Sequence, residues 1–317
     1  MSLARTVFVF SGQGSQYYRM GQPLYDADPI FREHMRRLDA LAAERCGVSV
    51  LEATFAGQKS DNFDRTLLTH PAIFMLEHAL SLRLIAGGIR PDAVLGASLG
   101  TFAAAALAGC MDEATAMTAV VAQARTYEAT CAPGAMIAIL DAPSLYEREP
   151  FLHRTSTLAA LNFDKHFAVS APQAALDGIE SELKQRGIVH QRLAVSFAFH
   201  SQWIDAARAP YLEAIRSVPL RTGTLPIACC DRAATDVRTL VHDDLWNAAR
   251  LPIRFLDTVL ALEAEGPCRY IDVGPSGTMA TFLKYALPRG SASTVHAVLT
   301  PYGQDLRNLD TLLAAAR

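Results

Sequence analysis

Ala93-Val-Leu-Gly-Ala-Ser98-Leu-Gly-Thr-Phe102, running on into Ala103–Ala106, is the stretch that decides the fold. Residues 93–95 read as a short apolar strand, and the alanine-rich run from Gly100 reads as a helix. Between them Gly96-x-Ser98-x-Gly100 puts one serine on a tight strand-to-helix turn, the arrangement of a nucleophile elbow. The glycines suit a turn where side chains would collide with neighbouring elements. The serine then projects into a cleft, and the following amide, Leu99 N–H, sits at a helix N-terminus able to face a developing oxyanion. Taken alone, five residues of this kind also describe a serine that only caps a helix. The apolar strand before and the helix after favour the nucleophile.

The same alternation continues outward. Thr6–Phe10 is a β-branched and aromatic run, read as a buried strand, and leads into the turn Ser11-Gly12-Gln13-Gly14-Ser15-Gln16. Helices are expected over 29–44 and 67–85; in the second, Leu68, Ala72, Met75, Leu76 and Ala79 recur at helical spacing. The helix after Ser98 is broken at Gly109 and resumes from Asp112. Strand alternating with helix predicts an α/β fold with a largely parallel sheet. The middle changes character: strand 135–140, helix 143–151, strands 158–162 and 166–170, helix 172–186 and strand 189–195 give β-α-β-β-α-β, the order of a ferredoxin-like unit. This reads as a small subdomain, 132–195, inserted in a larger one made of 1–131 and 196–317. The remainder should hold helices over 201–218, 243–249, 255–265 and 277–286, strands 226–228, 270–273 and 295–299, and a last helix from Leu306.

Composition excludes several classes. Of 317 residues half are hydrophobic and 19% charged, with a formal net charge of −3, which is ordinary globular chemistry. No Lys/Arg-rich run marks a nucleic-acid binder. The most apolar stretch, 102–111, is too short to cross a bilayer. The start resembles no signal-peptide core, and the six cysteines lack metal-type spacing, so a cytoplasmic protein with free thiols and no metal is expected. The Gly12-Gln-Gly-Ser turn lacks the spacing of a dinucleotide fingerprint.

A serine hydroxyl needs a base. Of the nine histidines, His34 and His78 fall in helices, His153, His166 and His190 fall in the insert, and His242 and His296 have no supporting context. His200 follows Ser196-Phe-Ala-Phe199, where the insert returns the chain to the large subdomain, and a domain junction is a good place for a cleft.

With these residues placed, the chain resembles the acyltransferase family of fatty-acid and polyketide synthesis, the malonyl-CoA:acyl-carrier-protein transacylase type. The resemblance spans nearly the whole sequence. It rests on Phe10-Ser-Gly-Gln-Gly-Ser-Gln16, Thr69-His-Pro-Ala72, Gly96-Ala-Ser-Leu-Gly100, Phe197-Ala-Phe-His200, Asn247 followed by Pro252-Ile-Arg-Phe255, and Ile271-Asp-Val-Gly-Pro275. Six landmarks in the family's order are far more specific than any one of them. The resemblance implies a large α/β-hydrolase-like subdomain with a ferredoxin-like insert. It implies Ser98 as nucleophile, His200 as base, the backbone amides of Gln13 and Leu99 as oxyanion hole, and the Asn247 carbonyl orienting the histidine. It implies no bound cofactor; the substrate arm is the phosphopantetheine of an acyl carrier protein, and acyl-CoA is a further donor. Arg32, Arg36, Arg37, Arg154 and Lys165 are basic residues available to an acidic carrier.

The departures matter as much. Where malonyl transferases of this family carry an arginine that pairs with the substrate carboxylate, an ungapped count from Ser98 reaches Gln123. Arg125 lies two residues further, rotated by about 200° on a helix. Ala97 stands where histidine is usual, His70 where glutamine is usual, and Ser11 where proline is usual. Gln123, Ala97, His70 and Phe199 are the expected acyl pocket, and Ala97 with Gln123 resembles a site rebuilt for an uncharged group, as in the acyl hydrolase branch that strips stalled acyl groups from carrier proteins. The expectation is therefore an editing hydrolase. Alternatives are a transferase of an uncharged or unusual acyl group, a malonyl transferase using Arg125, a non-catalytic carrier-binding protein, and a generic lipase-type hydrolase.

Overall fold

A computed structural model describes residues 4–315. Eleven strands are found among them: β1 Arg5–Phe10, β2 Ala93–Gly96, β3 Gly134–Ile139, β4 Thr157–Phe163, β5 His166–Pro172, β6 His190–Arg192, β7 Ile227–Cys229, β8 Ala234–Val237, β9 Ile253–Arg254, β10 Cys268–Asp272 and β11 Thr294–Ala297. They form two sheets. The larger has the order β11-β10-β1-β2-β7-β8, parallel throughout except that β8 runs antiparallel to β7. Val7, Phe8, Val9 and Phe10 are fully buried, because β1 lies between two parallel neighbours with both faces covered. That is why its sequence is an unbroken apolar run.

The register places Phe10 of β1 beside Gly96 of β2. The loops leaving the carboxyl ends of these two strands, Ser11–Gln16 and Ala97–Leu99, are therefore neighbours. Such an edge of a parallel sheet is where α/β folds place their ligands. The Thr66–Ala86 helix covers this region and packs against the helices Pro29–Cys46 and Glu113–Thr130. Ala72, Met75, Leu76 and Ala79 are buried as the periodicity requires, and because the helix is covered on several sides His70, Glu77 and His78 are buried too.

The second sheet has the order β6-β3-β5-β4-β9. Its first four strands come from the insert, are antiparallel, and alternate with helices in the β-α-β-β-α-β order. The fifth, β9, comes from the large subdomain and pairs in parallel with β4, Ala160 against Ile253. Two residues long, it carries no sequence signal.

Several boundaries differ from expectation for local reasons. The helix expected over 143–151 is two short helices, Ser144–Arg148 and Pro150–His153, divided at Pro150, which cannot donate within a helix. The helix expected over 201–218 is a 3-10 turn, Gln202–Ala207, capped by the Ser201 hydroxyl, followed by Arg208–Ala214. The strand expected over 189–195 keeps only three ladder residues. The edge strand β8 was not foreseen, because Ala-Thr-Asp-Val alternates too weakly to mark a strand.

Candidate active site

Ser98 leaves β2 two residues after its end and precedes the helix Gly100–Ala108. Its φ is +55°, a left-handed backbone that a non-glycine residue holds only under strain from the surrounding turn. Gly100 is required here, since a Cβ would run into the Phe10 carbonyl. Gly12, from the neighbouring loop, packs directly on the serine: a Cβ on it would fall 2.9 Å from Ser98 Cβ. The two loops are thus pressed together at the reacting atom.

Across the cleft His200 also has a left-handed backbone, φ +58°, and its amide donates to the Ala249 carbonyl at 2.8 Å. Its Nδ1 lies 2.7 Å from the Leu251 carbonyl, an acceptor only, so Nδ1 carries the proton. Nε2 is left as the acceptor and lies 2.9 Å from Ser98 Oγ. Burial lowers the His200 pKa to about 4, despite the Leu251 hydrogen bond, which acts in the opposite sense. The imidazole is therefore neutral at ordinary pH and positioned to take the serine proton.

The orienting carbonyl corrects the expectation for Asn247. In the helix His242–Arg250 the Asn247 carbonyl already accepts from Leu251 N–H at 2.9 Å. Leu251 follows the last turn with φ −81° and ψ 153°, so its own carbonyl leaves the helix direction and is free for His200. The signal was present in sequence: Pro252 forces the preceding residue into extended backbone.

Among the described residues, neither Gln13 N–H nor Leu99 N–H donates to another protein group. They flank the serine from the two adjacent loops, as an oxyanion hole requires. The Gln13 side chain is fixed from the Thr66–Ala86 helix: its amide donates to Thr69 Oγ1 at 2.8 Å, and its carbonyl lies 3.0 Å from His70 Nε2. That carbonyl can only accept, so His70 is protonated on Nε2. Desolvation lowers the His70 pKa to about 3 and keeps the ring neutral.

A cavity of about 550 Å³ opens beside Ser98 and His200, between the two sheets. Ala97 and Phe199 line it, as expected. The insert contributes Met136 of β3, Ala160 and Asn162 of β4, and His166 and Ala168 of β5, one face of the small sheet. Sequence reasoning gave His166 and Asn162 no role, because which face of a strand meets a cleft depends on the docking of two subdomains. Gln123 and His70 do not line the cavity, which corrects their assignment to its wall. Gln123 is 1% exposed, with its Nε2 unpartnered. One turn further along the same helix, Tyr127 packs edge-on to Phe199 at 5.1 Å and to His70 at 6.3 Å. Aromatic rings fill this side of the site.

Residues 7–317 match the family described as acyl transferase domain. The chain belongs to the acyl transferase domain family. It is 41% identical to "Polyketide biosynthesis acyltransferase homolog PksD" of Bacillus subtilis strain 168 over 308 residues, 96% of this chain and 95% of that one. It is 42% identical to the homolog BaeD of Bacillus velezensis over 310 residues, with the same coverage. Among solved structures, the MCAT of Streptococcus pneumoniae superposes with a TM-score of 0.80 at 25% identity, over 98% of this chain and all of that one. The acyltransferase domain from the second module of the salinomycin polyketide synthase superposes at 0.83 with 28% identity, over the whole chain and 74% of that one. This acyl transferase domain therefore has the large hydrolase-like and small ferredoxin-like halves of its solved relatives.

Proposed function

We propose that this acyl transferase domain is a hydrolase of polyketide biosynthesis that removes uncharged acyl groups from the phosphopantetheine thioester of an acyl carrier protein. The observation that carries the reading is the charge of the site. Among the described residues lining the cavity beside the Ser98–His200 pair, none is arginine or lysine. A malonyl carboxylate held there would be desolvated with no cation, at a cost of order several kcal/mol. The similarity to proteins named for polyketide biosynthesis supports the setting.

In the reaction Ser98 Oγ attacks the thioester carbonyl while its proton passes to His200 Nε2. The carbonyl oxygen, now negative, takes hydrogen bonds from Gln13 N–H and Leu99 N–H. The C–S bond breaks, the thiol leaves with the proton from His200, and an acyl-Ser98 ester remains. Water then attacks this ester, giving a proton to His200 Nε2 and releasing the acid; the same proton returns to Ser98 Oγ. Ser98, His200, Gln13 and Leu99 act in every step, with water as the second nucleophile. If a second carrier thiol replaces water, the product is a transferred acyl group, the reading that the family's name favours.

The test is intact-mass spectrometry of carrier proteins loaded with acetyl, a longer acyl or malonyl groups, mixed with catalytic enzyme and an unloaded second carrier. Loss of the uncharged groups as free acid, with malonyl spared, is the expected result. Movement onto the second carrier makes the protein a transferase, and loss of malonyl at equal rate removes the charge argument.

A further inference from the structure

The Thr66–Ala86 helix holds the oxyanion loop at two points, and only one of them touches Gln13. Two turns beyond His70, the buried Glu77 points its carboxyl at Ser11. Glu77 Oε1 accepts from Ser11 N–H at 2.6 Å and from Ser11 Oγ at 2.7 Å. Ser15 Oγ lies 2.9 Å from Ser11 Oγ and donates to the Gly12 carbonyl at 2.8 Å. Ser11 thus ties the start of the loop to a fully buried carboxyl, and Ser15, whose hydroxyl lies against Ser11 Oγ, holds the carbonyl of the peptide that precedes Gln13. Behind it Asp272, also fully buried, accepts from Gly274 and Ala280 amides at 2.8 Å. A Cβ on Gly274 would fall 2.5 Å from Ser11 Oγ and 3.0 Å from Asp272 Oδ1, so no space remains for the loop to retreat.

We infer that Ser11 and Glu77 are positioning residues for the oxyanion hole: the Glu77 carboxyl fixes Ser11, and Ser11 fixes the Gly12–Gln13 peptide against Ser98. This rests on the acyl-enzyme reading of Ser98 but not on whether water or a thiol completes the reaction. The reasoning is geometric. A buried carboxyl with no cation near it is costly to keep, and here its one engaged oxygen takes both donors of a single residue. That residue stands two positions from the amide that must meet the oxyanion. Desolvation, with Asp272 adding to it, pushes the Glu77 pKa well up, so a neutral replacement is tolerated electrostatically.

The test is the rate of Ser98 acylation by acetyl-N-acetylcysteamine, followed by rapid quench and intact mass, for wild type, Ser11→Ala, Glu77→Gln and Glu77→Leu. Expected are a tenfold or greater loss of the acylation rate constant in Ser11→Ala with KM within twofold, a rate within threefold of wild type in Glu77→Gln, which keeps an acceptor, and a larger loss in Glu77→Leu. Wild-type rates in both Ser11→Ala and Glu77→Leu overturn the inference, as does a loss in Ser11→Ala expressed only in KM. If Glu77→Leu fails to fold, Ser11→Ala and its KM-against-kcat split still decide. Absence of any adduct on wild-type Ser98 instead overturns the reading of the nucleophile itself, and the inference with it.

Discussion

Gln123 and Arg125 face opposite sides of the helix Glu113–Thr130. Gln123 is buried, while Arg125 is exposed and donates to the Arg45 carbonyl at the surface. The displaced arginine is thus engaged elsewhere and does not serve as a carboxylate clamp. Arg125→Ala should leave the relative rates with acetyl and malonyl thioesters unchanged within twofold. Gln123→Arg should bury a cation without a partner and lower the thermal midpoint by several degrees, consistent with a cost of about 3 kcal/mol or more. Paired thermal melts and competition assays on the two variants check both statements.

Ser98→Ala removes the attacking atom and leaves the elbow backbone in place. It should form no acyl adduct with any thioester, with a thermal midpoint close to that of wild type, because the elbow backbone and the His200–Leu251 bond stay intact while only the Ser98–His200 bond is lost. An adduct on this variant in intact-mass spectra would move the nucleophile to another residue.

His200→Ala should slow acylation by roughly 10²- to 10⁴-fold, the usual worth of a positioned base. The pH profile is more specific. Burial lowers the His200 pKa to about 4, so the base form persists down to that pH. The acylation rate should be flat through neutrality and fall on the acid side with a midpoint near 4, well below the 6.5 or so of a solvated histidine. A midpoint near 6.5 would mean that water reaches the imidazole.

Asn247→Ala should change the acylation rate less than threefold, since the carbonyl that orients His200 belongs to Leu251. Deleting Pro252's constraint by Pro252→Gly should cost more, by freeing the Leu251 peptide to turn. Steady-state rates on the two variants separate the assignments.

His70 predicts how stability depends on acid. Its pKa is lowered to about 3 in the folded protein, against about 6.5 in an unfolded chain. Between these values the unfolded state binds more protons, so stability is complete above pH 6.5 and is lost as pH falls toward 3. Glutamine at this position does not titrate. The thermal midpoint of His70→Gln should therefore decline less steeply from pH 7 to pH 4.5 than that of wild type.

Much of this was legible in the residues. The β1 run and the Gly96–Gly100 elbow dictate adjacent buried strands, because apolar continuity and tight turns are local properties. The Ser98–His200 pairing, 102 positions apart in the chain, was legible through the domain junction and the family landmarks rather than through any local pattern. What the sequence concealed was tertiary. Leu251 acquires its role through the C-terminus of one helix, and Glu77, a charged residue within a helix, is buried against Ser11. Gln123 is reached by counting along the chain and His70 by a motif position, and neither reveals that both side chains are buried away from the cavity beside the packed rings of Tyr127 and Phe199.

The two-residue strand β9 begins two positions after Leu251. The backbone that steadies the imidazole is therefore the same backbone that crosses into the small sheet and pairs with β4. A shift of the small half against the large one would therefore be transmitted through β9 to the Leu251 peptide. A substrate that enters without spreading the halves would leave His200 aligned on Ser98, whereas one that parts them would draw on the same backbone that holds the base.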